Sequence, residues 1–217
     1  MIFLPLSIMF IFILLLPLFF FLLQIEFFRI ALSKLGLSPQ SALLIFFLSL
    51  IGSLINIPIY TREATIFYPE NVPFSMFGNF GFQGSKVTKQ TISINLGGCI
   101  IPILLCIYLL PRAPLLPLFF STVITVIVCF KLSKIVPGKG ITIPALLPPV
   151  LAVVMAYLLA PHNKIPVAYI SGVLGVLIGA DILNLPYIEK FPGVISIGGA
   201  GVFDGIFLVG IISALLA

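Results

Sequence analysis

The sequence predicts an all-α polytopic membrane protein, because it is strongly apolar, poor in charge and divided into apolar runs of helix length. Of its 217 residues, 61% are hydrophobic and 8% are charged, whereas soluble domains carry roughly 25% charged residues. The mean hydropathy is +1.32. A helix needs about 20 apolar residues to cross a bilayer, so we expect about seven transmembrane helices in one integral membrane domain. The predicted spans are residues 2–24, 41–60, 93–111, 113–130, 142–160, 165–185 and 199–217 of a domain covering 1–217.

The connections between these spans differ in character. The first run has neither the basic start nor the small-residue cleavage site of a signal peptide, so we interpret it as an uncleaved span. Only "PRAP" separates the third and fourth spans, which predicts a tight helical hairpin. Residues 61–92 form the longest non-spanning piece. Their turn-forming and aromatic residues allow a short β-hairpin that lies on the membrane.

Lysine and arginine are unevenly distributed over the predicted loops. The first, third and fifth loops carry four, and the second, fourth and sixth carry seven. Because cytoplasmic loops are enriched in these residues, we expect a multi-pass protein of the cell membrane with a cytoplasmic N-terminus. The net charge of +5 therefore indicates orientation in the lipid bilayer, the expected partner, and not binding to nucleic acid. The oligomeric state stays open.

The sequence predicts no metal site and no cofactor. Cys99, Cys106 and Cys129 lie in apolar runs without a CxxC pair, and His162 is the single histidine. A zinc site needs more nitrogen and sulfur ligands than these residues supply. We interpret the cysteines as small packing residues.

Two aspartates interrupt the last two apolar spans. Asp181 and Asp204 lie at equal distances along the chain from the Pro192–Gly193 step. Antiparallel helices with that symmetry place both carboxylates at one depth, and neither span contains lysine or arginine. Two carboxylates held close together cannot both ionise cheaply, so they share a proton. The alternatives are a helix cap for Asp204 and a span end that reaches water for Asp181.

Small residues and prolines surround the predicted carboxylate pair. Gly179, Gly201 and Gly205 flank the aspartates in GxxxG patterns, which allow helices to approach closely and leave room for a substrate chain. "PGKGITIPALLPP" places several prolines at the start of the fifth span. Such irregular backbone can receive an extended peptide or coordinate an ion, or it can simply start a helix.

The stretches "PGKGITIPALLPP", "AYISGVLGVLIGADILNL" and "SIGGAGVFDGIFLVGIISALLA" resemble a prokaryotic family of multi-spanning proteins classified as a domain of unknown function. That resemblance begins near residue 93 and implies no activity.

A remoter resemblance is to the GxGD-type intramembrane aspartyl proteases, the presenilin and signal-peptide-peptidase group. It implies that Asp181 and Asp204 are catalytic and that Pro144, Ala145 and Leu146, a Pro-Ala-Leu tripeptide, help bind a transmembrane peptide substrate. The tripeptide precedes the aspartates here and follows them in that group. Neither "IGAD" nor "GVFD" is a literal GxGD or Tyr-Asp motif.

Three functions follow as hypotheses. The first is a membrane-embedded aspartyl protease-like protein with Asp181 and Asp204 as the dyad. The second is a small proton- or cation-coupled transporter or channel that uses the same carboxylates. The third is a non-catalytic membrane assembly protein.

Overall fold

The structure, a computed structural model, describes residues 6–69, 83–136, 140–188, 193–199 and 205–217. Its helices, in chain order, are α1 (Leu6–Lys34), α2 (Pro39–Gly52), α3 (Ile101–Leu109), α4 (Leu115–Leu132), α5 (Leu147–Leu159), α6 (Lys164–Val176), α7 (Leu185–Ile188) and α8 (Gly205–Leu216). A π-helical turn, Leu96–Ile100, leads into α3, and a second, Leu177–Asp181, follows α6. Short 3₁₀ turns extend α3 through Arg112 and join the second π-turn to α7.

The fold is mostly helical, as predicted, and the described residues also form a sheet of three strands, which is more β-structure than the single short hairpin that the sequence predicted. Strands β1 (Asn56–Pro69) and β2 (Gln83–Asn95) pair antiparallel, and β5 (Gly193–Ile197) adds to β2 in parallel. The predicted short hairpin over 61–92 exists and is longer than expected at both ends. Two further strands, β3 (Lys134–Val136) and β4 (Gly140–Thr142), pair antiparallel after α4.

Within the described ranges, three helical runs are long and apolar enough to cross a membrane: Ile11–Lys34, Leu115–Leu132 and Lys164–Tyr187. Four shorter apolar helices accompany them: Pro39–Gly52, Leu96–Arg112, Leu147–Leu159 and Ile206–Leu216. The predicted span 41–60 was wrong beyond Gly52, since strand β1 begins at Asn56. An apolar segment containing Ile57, Pro58 and Ile59 fits an alternating strand as well as a helix, and hydropathy alone does not separate the two.

Polar contacts join the connections at two opposite ends of the bundle. At the sheet end, Asn95 Nδ2 donates to Ser53 O at 2.7 Å, and Asn184 Nδ2 donates to Ser133 Oγ at 2.8 Å. At the C-terminal end, Arg112 donates to Leu35 O at 2.7 Å. Further contacts at that end run from Asn163 Nδ2 to Arg112 O at 3.1 Å and from Lys34 Nζ to Leu215 O at 2.7 Å. The chain therefore passes back and forth between the same two ends.

Helix α6 is the centre of the bundle and contacts α4, α5 and α8. In the run Lys164–Tyr187, 67% of the most apolar window is buried, against 6% in Ile11–Lys34. Tyr169 and Ile170 on α6 are almost completely buried. The apolar face of α1 from Ile11 to Leu23 is exposed, as expected of a helix that faces lipid.

Candidate functional site

Asp181 lies at the end of the second π-turn, inside the apolar run Lys164–Tyr187. Its side chain is partly buried, and its Oδ2 accepts a hydrogen bond from the backbone N–H of Gly198 at 3.1 Å. Gly198 follows β5 and has φ +85°, a left-handed conformation that favours glycine. The carboxylate is thus held by the turn that leads from the sheet toward α8.

The second π-turn is stabilised by Asn184, one turn further along. Its Nδ2 donates to Ala180 O at 2.8 Å and lies 3.1 Å from Gly179 O. A π-turn shifts the helical hydrogen-bond register and leaves carbonyls without their usual partners. Asn184 supplies donors to those carbonyls from a buried position, so the interruption costs less in apolar surroundings.

The first π-turn is stabilised in the same way by polar side chains. Asn95 caps it, because Asn95 Oδ1 accepts from Gly98 N at 2.7 Å. Ser49 Oγ on α2 donates to Gly97 O at 2.7 Å. Gly97 packs so closely on α2 that an added Cβ would lie 2.0 Å from Ser49 O, and this approach requires glycine.

The two π-turns and the glycine turn after β5 meet at one place. Gly198 bonds to Asp181 of the second π-turn and also lies against Cys99 of the first. A Cβ on Gly198 would be 2.5 Å from Cys99 Cβ. We call Cys99, Asp181 and Gly198 the π-turn junction. Because π-turns inside helices often occur at functional sites, this junction is the candidate site.

Hydroxyl side chains line α6 between this junction and the other end of the bundle. Gly175 faces Thr125 of α4, and Gly172 faces Ser213 of α8, with 2.9 Å between an added Cβ and Ser213 Oγ. Tyr169 lies one turn further on. Among the described residues, four buried hydroxyls have no hydrogen-bond partner: those of Ser121, Thr122, Tyr169 and Ser213.

The glycines that precede Asp181 allow a close approach of helices, as their GxxxG pattern predicts, and most of this contact is with α4. Gly175 and Gly179 pack on α4, where an added Cβ on Gly179 would be 2.4 Å from Val126 O. Of Gly172, Gly175 and Gly179, only Gly172 faces α8. Gly205 begins α8. Substrate binding by Gly179 or Gly205 stays a prediction.

The Pro-Ala-Leu tripeptide lies on the surface of the bundle. Pro144, Ala145 and Leu146 are exposed and precede α5. Pro144 and Leu146 line an open apolar groove of about 650 Å³ together with Val128 and residues of α5. Asp181 is not among the lining residues of this groove, so the described structure does not unite the tripeptide and the carboxylate in one cavity.

Asp204 and Gly201 lie outside the described residues, so the predicted aspartate pair stays a prediction. The structure adds Asn95, Asn184 and Cys99 to the candidate site. Asparagines within the apolar runs "SINLGGC" and "DILNL" are the sequence signal that points to the first two. Within the described part of the chain, no group of three or more His, Cys, Asp or Glu residues could hold a metal.

Comparison with known proteins identifies a family without assigning an activity. Curated proteins and solved structures give no match to this chain, and no comparison supports the resemblance to GxGD-type proteases. A family profile described as "Protein of unknown function (DUF1614)" matches residues 50–216. This range contains both π-turns, the sheet and the groove, and the chain therefore belongs to the DUF1614 family.

Proposed function

We propose that this protein is a proton- or cation-coupled membrane transporter in which Asp181, together with Asp204, is the ion-binding group. The observation that carries the proposal is the series of buried hydroxyls beside α6. It extends along α6 from Gly175, which faces Thr125, past Gly172, which faces Ser213, to Tyr169 near the C-terminal end. An ionisable residue within a membrane span is costly and typically marks an ion or proton pathway.

Buried hydroxyls rarely go without a hydrogen bond, and internal water commonly supplies the missing partner. Ser121 lies on α4 and Ser213 on α8, and both of these helices contact α6, which carries Tyr169. Water shared among them would extend a polar path through an otherwise apolar bundle. If these hydroxyl side chains were used only for packing, alanine and phenylalanine would fill the same space without a buried polar atom that needs a hydrogen bond.

Broken segments around Asp181 support the same function. Transporters often bind ions where helices are interrupted and backbone groups become available. Here a π-turn carries the carboxylate, a second π-turn lies beside it, and α8 follows a strand and a glycine turn. We further propose that all the apolar helices cross the cell membrane, including the four shorter ones. Local bilayer thinning accommodates short helices.

The test is ion flux in liposomes that contain the purified protein and a trapped pH-sensitive dye. An imposed Na⁺ or K⁺ gradient should drive a pH change with the wild-type protein. Asp181→Asn and Asp204→Asn should each abolish it. Glu26→Gln is the matched control, because it also removes one carboxylate. Glu26 lies in an exposed pair with Arg29 on α1, with an N–O distance of 2.6 Å, far along the chain from the site.

Wild-type flux that depends on both aspartates and survives Glu26→Gln would support the transporter. Flux that is equal in the wild type and in Asp181→Asn would contradict it, as would an absence of flux under both gradients.

The second candidate is an intramembrane aspartyl protease, and the apolar groove at Pro144 and Leu146 favours it. The groove is open and almost wholly apolar, so its chemistry suits an apolar transmembrane peptide. The proposal needs such a peptide to reach from the groove to Asp181. Cleavage of a single-span reporter in the same liposomes tests it. Loss of cleavage in both aspartate variants would favour the protease, and residual cleavage in both would exclude it.

A further inference from the structure

Three cationic side chains converge on a small pocket at the C-terminal end of the bundle, opposite the π-turn junction. Lys34 ends α1, Arg112 follows α3, and Lys164 begins α6. Together with His162 and Asn163 they line a cavity of about 280 Å³. We call this cavity the cationic pocket. The three charged residues are far apart in the sequence. The pocket is therefore created by the tertiary fold and not by a cluster of charges in one segment.

Neutral groups hold the three cations in place. Arg112 donates to Leu35 O and to Tyr108 Oη, each at 2.7 Å, and its guanidinium lies 4.5 Å from the centre of the Tyr108 ring. Gly36, with φ +81°, gives it space, since an added Cβ would be 2.5 Å from Arg112 Nη1. A guanidinium has five N–H donors, so donors remain for a ligand.

The two lysines are positioned similarly. Lys34 Nζ donates to Leu215 O at 2.7 Å. Lys164 Nζ donates to Tyr157 Oη at 2.7 Å and lies 4.0 Å from the centre of the Tyr157 ring. Tyr157 in turn donates to Ala217 O at 3.3 Å. Each ammonium group has three donors, and the described contacts use one of them in each lysine.

Among the described residues, no carboxylate side chain forms an ion pair with these three cations. The sequence contains no Asp or Glu from residue 71 to residue 180, and none between Glu26 and Glu63. The segments that form the pocket all fall within these two ranges. Three like charges held around one small cavity repel one another unless an anion joins them. The pocket also lies at the start of α6, where the helix dipole favours negative charge.

We propose that the cationic pocket binds a phosphate group, carried either by the headgroup of an anionic lipid or by a small soluble phosphate. Guanidinium and ammonium groups are the usual partners of phosphate oxygens. The cavity is smaller than the roughly 300–1,000 Å³ typical of sites for drug-sized ligands, which suits a headgroup. Lys34 ends a helix that is long enough to span the membrane, so the pocket lies at headgroup level. Basic pockets between membrane helices are known to bind lipid headgroups.

The test uses the full chain in detergent and three probes: short-chain phosphatidylglycerol, short-chain phosphatidylcholine and inorganic phosphate. Native mass spectrometry counts bound lipid, and thermal unfolding reports binding of each probe. Lys34→Gln combined with Lys164→Gln should weaken binding by about fivefold for each lysine removed. Lys131→Gln combined with Lys134→Gln is the matched control, since it removes the same charge at the sheet end.

Lys34→Arg combined with Lys164→Arg keeps the charges and should keep the binding, which separates a lost site from a lost fold. Phosphatidylglycerol binding that fails only in the glutamine pair at the pocket supports a lipid headgroup. Stabilisation by inorganic phosphate with the same dependence, without preference for phosphatidylglycerol, supports a soluble phosphate. Equal binding of every probe by the wild type and both glutamine pairs would overturn the proposal, as would no binding by the wild type. These results do not depend on Asp181, so they stand apart from the transport test.

Discussion

At the scale of single residues, Asn184 shows how a polar side chain stabilises a helix interruption in apolar surroundings. It is buried and bonds to the backbone of the π-turn and to Ser133. Asn184→Ala leaves those carbonyls without this donor and should lower the free energy of unfolding by about 1–3 kcal/mol. Ser133→Ala removes one acceptor of the same amide and should cost less. Thermal unfolding in detergent measures both, and equal stability of Asn184→Ala and wild type would contradict this role.

The variant Tyr169→Phe tests the role of a buried hydroxyl in ion flux separately from its effect on stability. The Tyr169 hydroxyl is buried and has no hydrogen-bond partner among the described residues, so Tyr169→Phe breaks no bond to those residues and should change the melting temperature little. If water bonded to this hydroxyl belongs to the ion path, the same variant should lower ion flux in liposomes at least severalfold. Flux equal to wild type would show that the hydroxyl is only a packing group.

At the scale of elements, the close contact between α4 and α6 depends on the absence of a side chain at Gly175. A Cβ on Gly175 would be 2.3 Å from Thr125 Cγ2, and β-branched threonine has little freedom to move aside. Gly175→Ala should therefore cost about 1–3 kcal/mol through overpacking. Adding Thr125→Ser removes the nearest clashing atom and keeps the bond to Ser121 O, so part of the loss should return. A Gly175→Ala variant as stable as wild type would refute the close contact.

The helices were largely predictable from sequence, and the interruptions were not. Apolar runs of sufficient length located α4 and α6, because hydropathy reports burial in lipid or core directly. The same signal misassigned Asn56–Tyr60, where a strand begins, since short apolar runs fit both structures. The π-turns depend on partners distant in sequence, such as Ser49 for Gly97 and Gly198 for Asp181. No local pattern contains that information.

The candidate site was predictable only in part, for a similar reason. An aspartate in an apolar run indicated Asp181 because the cost of burying charge makes it unusual. The contact of Asp181 with the turn after β5 could not be predicted without strand β5. The sequence indicated only a turn between two helices in that segment. The cationic pocket forms because Lys34, Arg112 and Lys164 lie close together in the fold. These residues are far apart along the chain, so the sequence alone does not predict the pocket.

At the scale of the whole molecule, the two ends of the bundle should face opposite sides of the membrane. From the lysine and arginine count we predict that the sheet end faces the cytoplasm. His162→Cys lies at the C-terminal end and should react with a membrane-impermeant maleimide on intact cells. Lys131→Cys, at the sheet end, should react only after permeabilisation. The native cysteines are buried, so they give little background. The reverse pattern would invert the orientation, and equal labelling of both would contradict the opposed ends.

The most direct test of the central claim is the titration of the two aspartates themselves. Asp181 and Asp204 are the only aspartates in the sequence, so ¹³C-labelled aspartate isolates their infrared carboxyl bands. A coupled pair titrates as one system. We therefore predict that Asp204→Asn shifts the titration of Asp181 and that Asp181→Asn shifts that of Asp204. If each remaining aspartate titrates as it does in the wild type, the two carboxylates do not interact and the proposed ion-binding pair is wrong.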